Sequence, residues 1–283
     1  MTPEGQEEAT RDIQAERRAL EESVQKVLAD IENKLMVLSG KGGVGKSTVA
    51  VNLAISLGKR GFKTGLLDVD LHGPSVPNLM GLVGRRFEVS QERMMPVDFE
   101  GLVRVASMGF ALRSHTEAVI WRGPMKIGAM KQFIGQVDWG ELDYLVVDSP
   151  PGTGDEPLTV AQVIPDARGL IVTTPQEIAL ADVRKSVSFC RAVNMEVAGV
   201  IENMSGLECP HCGKEIELFP IGGGEKMAQQ MRVPFLGRLR IDPRLVEAGD
   251  LGRPYVFHYP EAALTRDFEA IVDKVLAGQG QLP

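Results

Sequence analysis

A glycine-rich run between an apolar segment and a helical pattern constrains the fold of this chain more than any other feature. It reads Gly-Lys-Gly-Gly-Val-Gly-Lys-Ser-Thr over residues 40–48, after the apolar segment 35–38 and before a helix predicted from Thr48 to Lys59. Glycines let the backbone curl around phosphate oxygens, and the helix adds its positive N-terminal end. The run is a P-loop and predicts that the chain binds a nucleoside triphosphate.

The residues of this loop carry separate expected roles. Lys46 is expected to neutralise the β- and γ-phosphates, and the Ser47 hydroxyl to ligate Mg²⁺. Lys41 is an additional lysine inside the loop, which at the least adds positive potential near phosphate. The predicted nucleotide-binding residues here are Gly40, Gly42, Gly43, Val44, Gly45, Lys46, Ser47 and Thr48.

Apolar runs alternate with helical patterns along the rest of the chain, which predicts a doubly wound α/β fold with a mostly parallel sheet and helices on both faces. Residues 1–34 form a predicted amphipathic helical extension, and 35–283 the P-loop domain. The stretch 71–100 is a predicted long connection near the site. Predicted strands are 35–39, 65–70, 103–108, 144–148, 170–174, 197–203 and 235–239; predicted helices lie near 48–60, 124–136, 179–193, 224–231 and 261–277.

Composition narrows the partners and the compartment. The chain has 283 residues, 43% of them apolar, and a net charge of −7. This acidity argues against broad nucleic-acid binding and against stable association with an anionic membrane. No apolar run approaches the roughly 20 residues that span a bilayer, and no basic, apolar leader is evident, so we expect a cytoplasmic protein. Three cysteines do not indicate a disulfide framework.

Acidic residues end two predicted strands, at the edge where ligands bind in such sheets. Asp68 and Asp70 alternate at the end of one strand, so both carboxylates share a face. Asp148 follows four apolar residues in a Walker B pattern, whose carboxylate tunes the Mg²⁺ shell. The Gly/Pro-rich continuation suits a phosphate-sensing switch, in which the backbone N–H of Gly152 or Gly154 contacts the terminal phosphate.

A Cys-X-X-Cys pair, Cys209 and Cys212, follows the predicted strand that ends at Asn203. A tetrahedral thiolate site needs four ligands, and no second such pair exists. Three interpretations remain: half of a zinc ribbon, a dithiol redox site, or a site shared across a two-fold axis in which two chains supply four thiolates for an iron–sulfur cluster or zinc. Cys190 lies on a predicted helix and is expected to be a buried core thiol.

The early lysine resembles that of the deviant P-loop in the MinD/ParA/nitrogenase-iron-protein class of ATPases. The resemblance implies a homodimer in which Lys41 acts on the partner's nucleotide. It also implies that Asp70 orients the attacking water and that Asp68 holds Mg²⁺ through water. Asn203 and the segment around Asp242 correspond to the adenine-contacting positions of that class, and an asparagine amide can pair with both edges of adenine.

The whole set of motifs is similar to that of the Mrp/ApbC family of ATP-dependent iron–sulfur cluster carriers. It includes residues 68–75, 147–155 and 202–205, the Cys-X-X-Cys segment near 205–220, and the glycines at 222–224. The resemblance implies slow, Mg²⁺-dependent ATP hydrolysis, a cluster at the dimer interface with [4Fe–4S] favoured, and transfer to apo-proteins. The alternative is a MinD/ParA-like positioning ATPase with structural zinc; an electron-transferring reductase is a third reading.

Overall fold

The computed structural model describes residues 18–70, 73–90, 93–111, 123–208, 212, 214–216, 218 and 222–278. The strands are β1 (Ile31–Leu38), β2 (Thr64–Asp68), β3 (Glu88–Ser90), β4 (Arg93–Met95), β5 (Val97–Phe99), β6 (Val103–Ser107), β7 (Leu142–Asp148), β8 (Arg168–Thr173), β9 (Val197–Glu202), β10 (Leu207–Glu208), β11 (Glu215–Ile216) and β12 (Phe235–Arg238).

Helices surround these strands. They are α1 (described over 18–29), α2 (Lys46–Lys59), α3 (Val76–Leu79), α4 (Met108–Ala111), α5 (Gly123–Gln136), α6 (Asp155–Val163), α7 (Glu177–Ala192), α8 (Gly223–Met231), α9 (Pro243–Asp250), α10 (Tyr255–His258) and α11 (Ala263–Ala277). Among the described residues, no helix is both long and apolar enough to cross a membrane.

One eight-stranded sheet carries the site, in the order β12-β9-β8-β1-β7-β2-β6-β5. Every neighbouring pair is parallel except β5 with β6, so the carboxyl ends of the parallel strands meet at one edge. The doubly wound α/β prediction is confirmed. The central strands are apolar over most of their length because helices cover both faces.

Alternation along β1 shows how the two layers form. Leu35 and Val37 face one core, shared with α2, α10 and α11, whereas Met36 and Leu38 face the other, shared with α1, α5 and α7. All four side chains are buried. Every strand predicted from the sequence is present, and the connection predicted over 71–100 contains α3, the β3–β4 hairpin and β5.

The N-terminal helix packs on the domain body and ends earlier than the extension predicted over 1–34, of which residues 1–17 lie outside the described residues. Val24 and Leu28 are buried in the same core as α5, and β1 begins at Ile31 rather than at residue 35. The polar run 32–34 belongs to the strand because Lys34 finds tertiary partners: its ammonium donates to the Ile31 carbonyl at 2.8 Å and to Asp166 at 2.7 Å.

Candidate nucleotide site and thiol segment

The P-loop lies between β1 and α2, with glycine where the backbone needs it. Gly45 has φ +81° at the N-cap of α2, and a Cβ there would lie 2.3 Å from Nδ2 of Asn203. Any side chain at this position would therefore strain the backbone and displace Asn203. Gly40 is equally restricted, since a Cβ would lie 2.4 Å from that of Asp182 on α7.

Lys46 and Asp148 form a buried ion pair at the centre of the site. The ammonium also lies 3.4 Å from the Ser47 hydroxyl. Oδ2 of Asp148 is buried and has no hydrogen-bond partner among the described residues. Burial raises the pKa of Asp148, and the charge of Asp70 adds to this, while Lys46 and Ser47 oppose it. An orphaned carboxylate oxygen beside a hydroxyl fits a hard divalent cation such as Mg²⁺.

Asp68 lies directly beside Asp148, because the two residues are register partners at the ends of β2 and β7. Its carboxylate accepts from the Ser107 hydroxyl at 2.8 Å and from the backbone N–H of Asp70 at 3.1 Å. Burial, reinforced by the charge of Asp148, raises the pKa of Asp68 to about 8. Two adjacent buried carboxylates disfavour joint ionisation, which a bound cation would relieve.

The predicted switch residues lie at the same edge. Asp70 follows β2, and its carboxylate accepts from the Gly73 N–H at 3.2 Å. Gly152, with φ +90°, donates its N–H to the Ser39 carbonyl at 2.8 Å. A phosphate contact through Gly152 would have to replace this bond. Gly154 caps α6, whose first turn holds two acidic residues.

A cleft of about 740 Å³ continues from the P-loop. It is lined by Gly45 and Thr48, by Asn203 and the loop 240–242, and by residues of α3 and α9. Asn203 is buried and donates from Nδ2 to the Val44 carbonyl at 2.9 Å. One N–H of its amide is thus engaged by the P-loop, and the carbonyl oxygen and the second N–H remain to offer a ligand.

Asp242 lines this cleft, but its carboxylate holds protein groups. It caps α9 by accepting from the Arg244 N–H at 2.9 Å, and it binds the Arg244 guanidinium at 2.6 Å and the Tyr255 hydroxyl. Burial opposes ionisation, yet the bonds from Arg244 and Tyr255 keep the pKa of Asp242 below its usual range. Asp242 shapes the cleft by fixing the start of α9.

The chain from Ser205 to Gly222, which contains the two cysteines and is called the thiol segment here, leaves the sheet next to the cleft. Strands β10 and β11 pair antiparallel and flank the Cys-X-X-Cys, with Cys212 exposed; Cys209 lies outside the described residues. The base of this hairpin is joined to the loop 240–242. The Ile241 N–H donates to the Gly206 carbonyl at 2.8 Å, and Leu207 forms an isolated β-bridge with Ile241.

Cys190 behaves as the core thiol predicted. It is fully buried on α7, and burial raises its pKa to about 11. Within the described ranges, no three His, Cys, Asp or Glu side chains come together to hold a metal ion.

Lys41 is half-buried at the start of the P-loop.

Glu202 is the residue of this region that sequence reasoning missed. It ends β9 with no exposed surface, and it accepts hydrogen bonds from the Ser205 hydroxyl at 2.6 Å and from the Gly224 N–H at 2.5 Å. A charged residue at the end of an otherwise apolar strand was the available signal. Its partner Gly224 is distant in sequence, so its role required the structure.

A family comparison covers the P-loop, the paired aspartates and the thiol hairpin together. The model of the ParA family described as NUBPL iron-transfer P-loop NTPase matches residues 30–276. The chain belongs to this family.

Relatives in the family are similar over nearly their whole length. An iron-sulfur cluster carrier protein from Saccharolobus solfataricus is 43% identical over 97% of this chain and 93% of its own. The cytosolic Fe-S cluster assembly factor CFD1 from Eremothecium gossypii is 45% identical over 88% of this chain and 93% of its own.

Solved structures show the same architecture. A nucleotide-binding protein from Archaeoglobus fulgidus, in complex with ADP and with cobalt found in it, is 39% identical, with a TM-score of 0.77 over 88% of this chain and 96% of its own. The MinD cell division protein from Aquifex aeolicus, 22% identical with a TM-score of 0.62 over 89% of this chain and 98% of its own, shares the fold.

Proposed function

We propose that this protein is an ATP-dependent iron–sulfur cluster carrier that holds its cluster between the two chains of a homodimer and transfers it to apo-proteins. The observation that carries the proposal is the thiol hairpin, whose base is hydrogen-bonded to the loop that lines the nucleotide cleft. Relatives named as cluster carriers and as a cytosolic assembly factor support it, and on that ground we assign the protein to the cytoplasm.

The nucleotide is ATP in this proposal. Lys46 and the P-loop N–H groups bind the phosphates, while the carbonyl oxygen of Asn203 accepts from an amino group of the base, as adenine provides. Ser47 and Asp148 are the residues that would hold Mg²⁺, with Asp68 acting through water. The ion would offset charge on the phosphates.

Hydrolysis is assigned to groups from both chains. Asp70 orients the water that attacks the γ-phosphorus, and Lys41 from the partner stabilises the charge that develops on the phosphoryl oxygens, as an arginine finger does. Because Lys41 then acts only in the dimer, hydrolysis depends on the same association that brings two thiol pairs together. Four thiolates match the ligand number of a [4Fe–4S] cluster, which we favour.

Anaerobic reconstitution with iron and sulfide tests the proposal. We expect visible absorption of a cluster, iron and sulfide in proportion to one cluster per dimer, and loss of both in Cys209→Ser and Cys212→Ser. Cys190→Ser is the matched control and should load like the wild type, because that thiol is buried in the core. Zinc at the thiols with no cluster would instead support the positioning ATPase.

A further inference from the structure

Glu202 is a buried carboxylate that the nucleotide chemistry does not use. It accepts from the Ser205 hydroxyl at 2.6 Å, from the Gly222 N–H at 3.2 Å and from the Gly224 N–H at 2.5 Å. Its exposed fraction is 0%. A carboxylate is stable in such a place only when its oxygens are well supplied with donors.

The donors come from both ends of the thiol segment. Ser205 precedes Cys209 in the chain, and Gly222 follows Cys212. One side chain therefore ties the point where the segment leaves the sheet to the point where it returns at α8. Gly222 has φ +91° at the N-cap of α8.

The fit around the carboxylate is close. A Cβ on Gly224 would lie 3.0 Å from Oε2 of Glu202, so glycine lets the helix backbone reach this oxygen. Arg238, on the neighbouring strand β12, lies 3.4 Å from the carboxylate and 2.5 Å from Glu225. The guanidinium supplies positive charge to the buried group without replacing its backbone donors.

We propose that Glu202 is a positioning residue for metal binding, which holds Ser205 and Gly222, at the two ends of the thiol segment, at a fixed separation and so lowers the cost of bringing both thiols to one metal ion. The inference rests on the proposed function. Metal–thiolate distances tolerate only about ±0.2 Å, so a looser base lowers metal affinity. Partners outside the ligand set typically contribute about 10- to 100-fold.

The test is anaerobic cobalt titration of the full-length wild type, Glu202→Gln and Glu225→Gln, read by thiolate-to-cobalt absorption. Glutamine keeps the shape but turns one acceptor into a donor that opposes the Gly224 or Gly222 N–H. We expect cobalt affinity about 10- to 100-fold lower and altered visible bands of tetrahedral cobalt in Glu202→Gln. The control Glu225→Gln removes another carboxylate that pairs with Arg238 and should match the wild type.

Nucleotide binding separates this role from general damage to the fold. Glu202→Gln should bind ADP as the wild type does, because Asn203 keeps its bond to the P-loop. If Glu202→Gln does not fold, Ser205→Ala decides: it removes one donor and should shift cobalt affinity in the same direction.

Cobalt affinity equal to that of the wild type, in folded Glu202→Gln or failing that in Ser205→Ala, overturns this inference alone. A wild type whose cobalt binding does not depend on Cys209 and Cys212 overturns the proposed function and this inference together.

Discussion

Lys46 and Asp148 show, at the scale of single residues, how the site joins stability to binding. Each charge is buried and each has the other as its partner. A buried charge that loses its partner is strongly destabilising, whereas removal of both charges is far better tolerated. The residues that recognise phosphate and magnesium therefore also support the fold, and their two contributions can be measured separately.

We expect Lys46→Ala to lose nucleotide binding and to lower the free energy of unfolding by about 3–5 kcal/mol, because Asp148 is left buried and unpaired. The double variant Lys46→Ala, Asp148→Asn should recover much of the stability without recovering ADP binding. Denaturant unfolding and ADP titration measure the two quantities. Equal instability of the single and double variants would contradict this account of the pair.

The buried carboxyl group of Asp68 should make the free energy of unfolding depend on pH in metal-free buffer. Its pKa rises from an ordinary 3.8 to about 8, so between these values the folded chain binds a proton that the unfolded chain does not. The free energy of unfolding should therefore fall as pH rises through that window. Asp68→Asn should flatten the slope. Parallel slopes for wild type and variant, in EDTA without nucleotide, would refute the assignment.

At the scale of single elements, α9 shows most clearly how one helix forms part of the cleft. The helix starts at Pro243 under the cap of Asp242, and its residues line the same cleft as Asn203. Gly81 after α3 and Gly252 after α9 approach so closely that a Cβ on Gly252 would lie 2.6 Å from the Cα of Gly81. The end of α3 and Gly81 are thus packed directly against the end of α9.

Replacing the cap tests whether Asp242 works through α9. Asp242→Ala should destabilise the protein by about 0.5–2 kcal/mol and weaken ADP binding, because the cleft wall loosens. Asp242→Asn is the matched control, since asparagine is an equally good N-cap, and it should retain most of both properties. Thermal unfolding and calorimetric ADP titration are the measurements. If Asp242→Asn loses as much affinity as Asp242→Ala, the cleft needs the carboxylate charge and its bonds to Arg244 and Tyr255, and capping alone does not explain the role of Asp242.

The sequence predicts the strands of the sheet and the P-loop, but it does not predict α9 or the start of β1, and the reasons are physical. The strands of the sheet were predicted because they are apolar on both faces, and the P-loop because its spacing serves one chemistry. Helix α9 is absent from the helices predicted by sequence, because an Asp-Pro pair begins turns as often as helices. The start of β1 was read as helix because its polar residues, such as Lys34, are satisfied by partners distant in sequence.

The candidate site followed the same division. The structure brings Asp68 and Asp148 together because parallel strands share one carboxyl edge, and Lys46 at the start of α2 reaches Asp148 there. Their roles toward nucleotide and Mg²⁺ stay predictions. The capping role of Asp242 and the role of Glu202 depend on Arg244, Tyr255 and the N–H groups of Gly222 and Gly224. Side-chain acceptors of backbone N–H groups leave no periodic signal in a sequence.

At the scale of the whole molecule, the proposed dimer makes each active site composite. Lys41→Ala should leave ADP binding largely intact and abolish hydrolysis, because its charge is used in the transition state on the partner. Mixing Lys41→Ala chains with Asp70→Asn chains should restore part of the activity, since one of the two sites then holds both groups. Phosphate release across mixing ratios is the measurement. Mixed dimers that form and stay inactive would remove the trans assignment.

Nucleotide and cluster should also be coupled in the dimer. The loop 240–242 lines the cleft and bonds to the base of the thiol hairpin, so a nucleotide that shifts this loop shifts the hairpin. Typical couplings change affinity roughly 5- to 150-fold, reciprocally. We expect cluster loading to change ATP affinity in the wild type but not in the Cys209→Ser, Cys212→Ser double variant. Equal affinities of apo and loaded protein would leave a passive carrier.

The hydrogen-bonded base of the hairpin also determines which residues must be included if metal binding is grafted onto another P-loop protein. A graft limited to the Cys-X-X-Cys loop would leave behind Glu202, the glycines that receive it, and the backbone of 239–241 that pairs with the hairpin. The portable unit is therefore discontinuous, formed by the ends of two neighbouring strands and the start of a helix. A graft would have to include all three parts for the two thiols to keep their positions relative to each other.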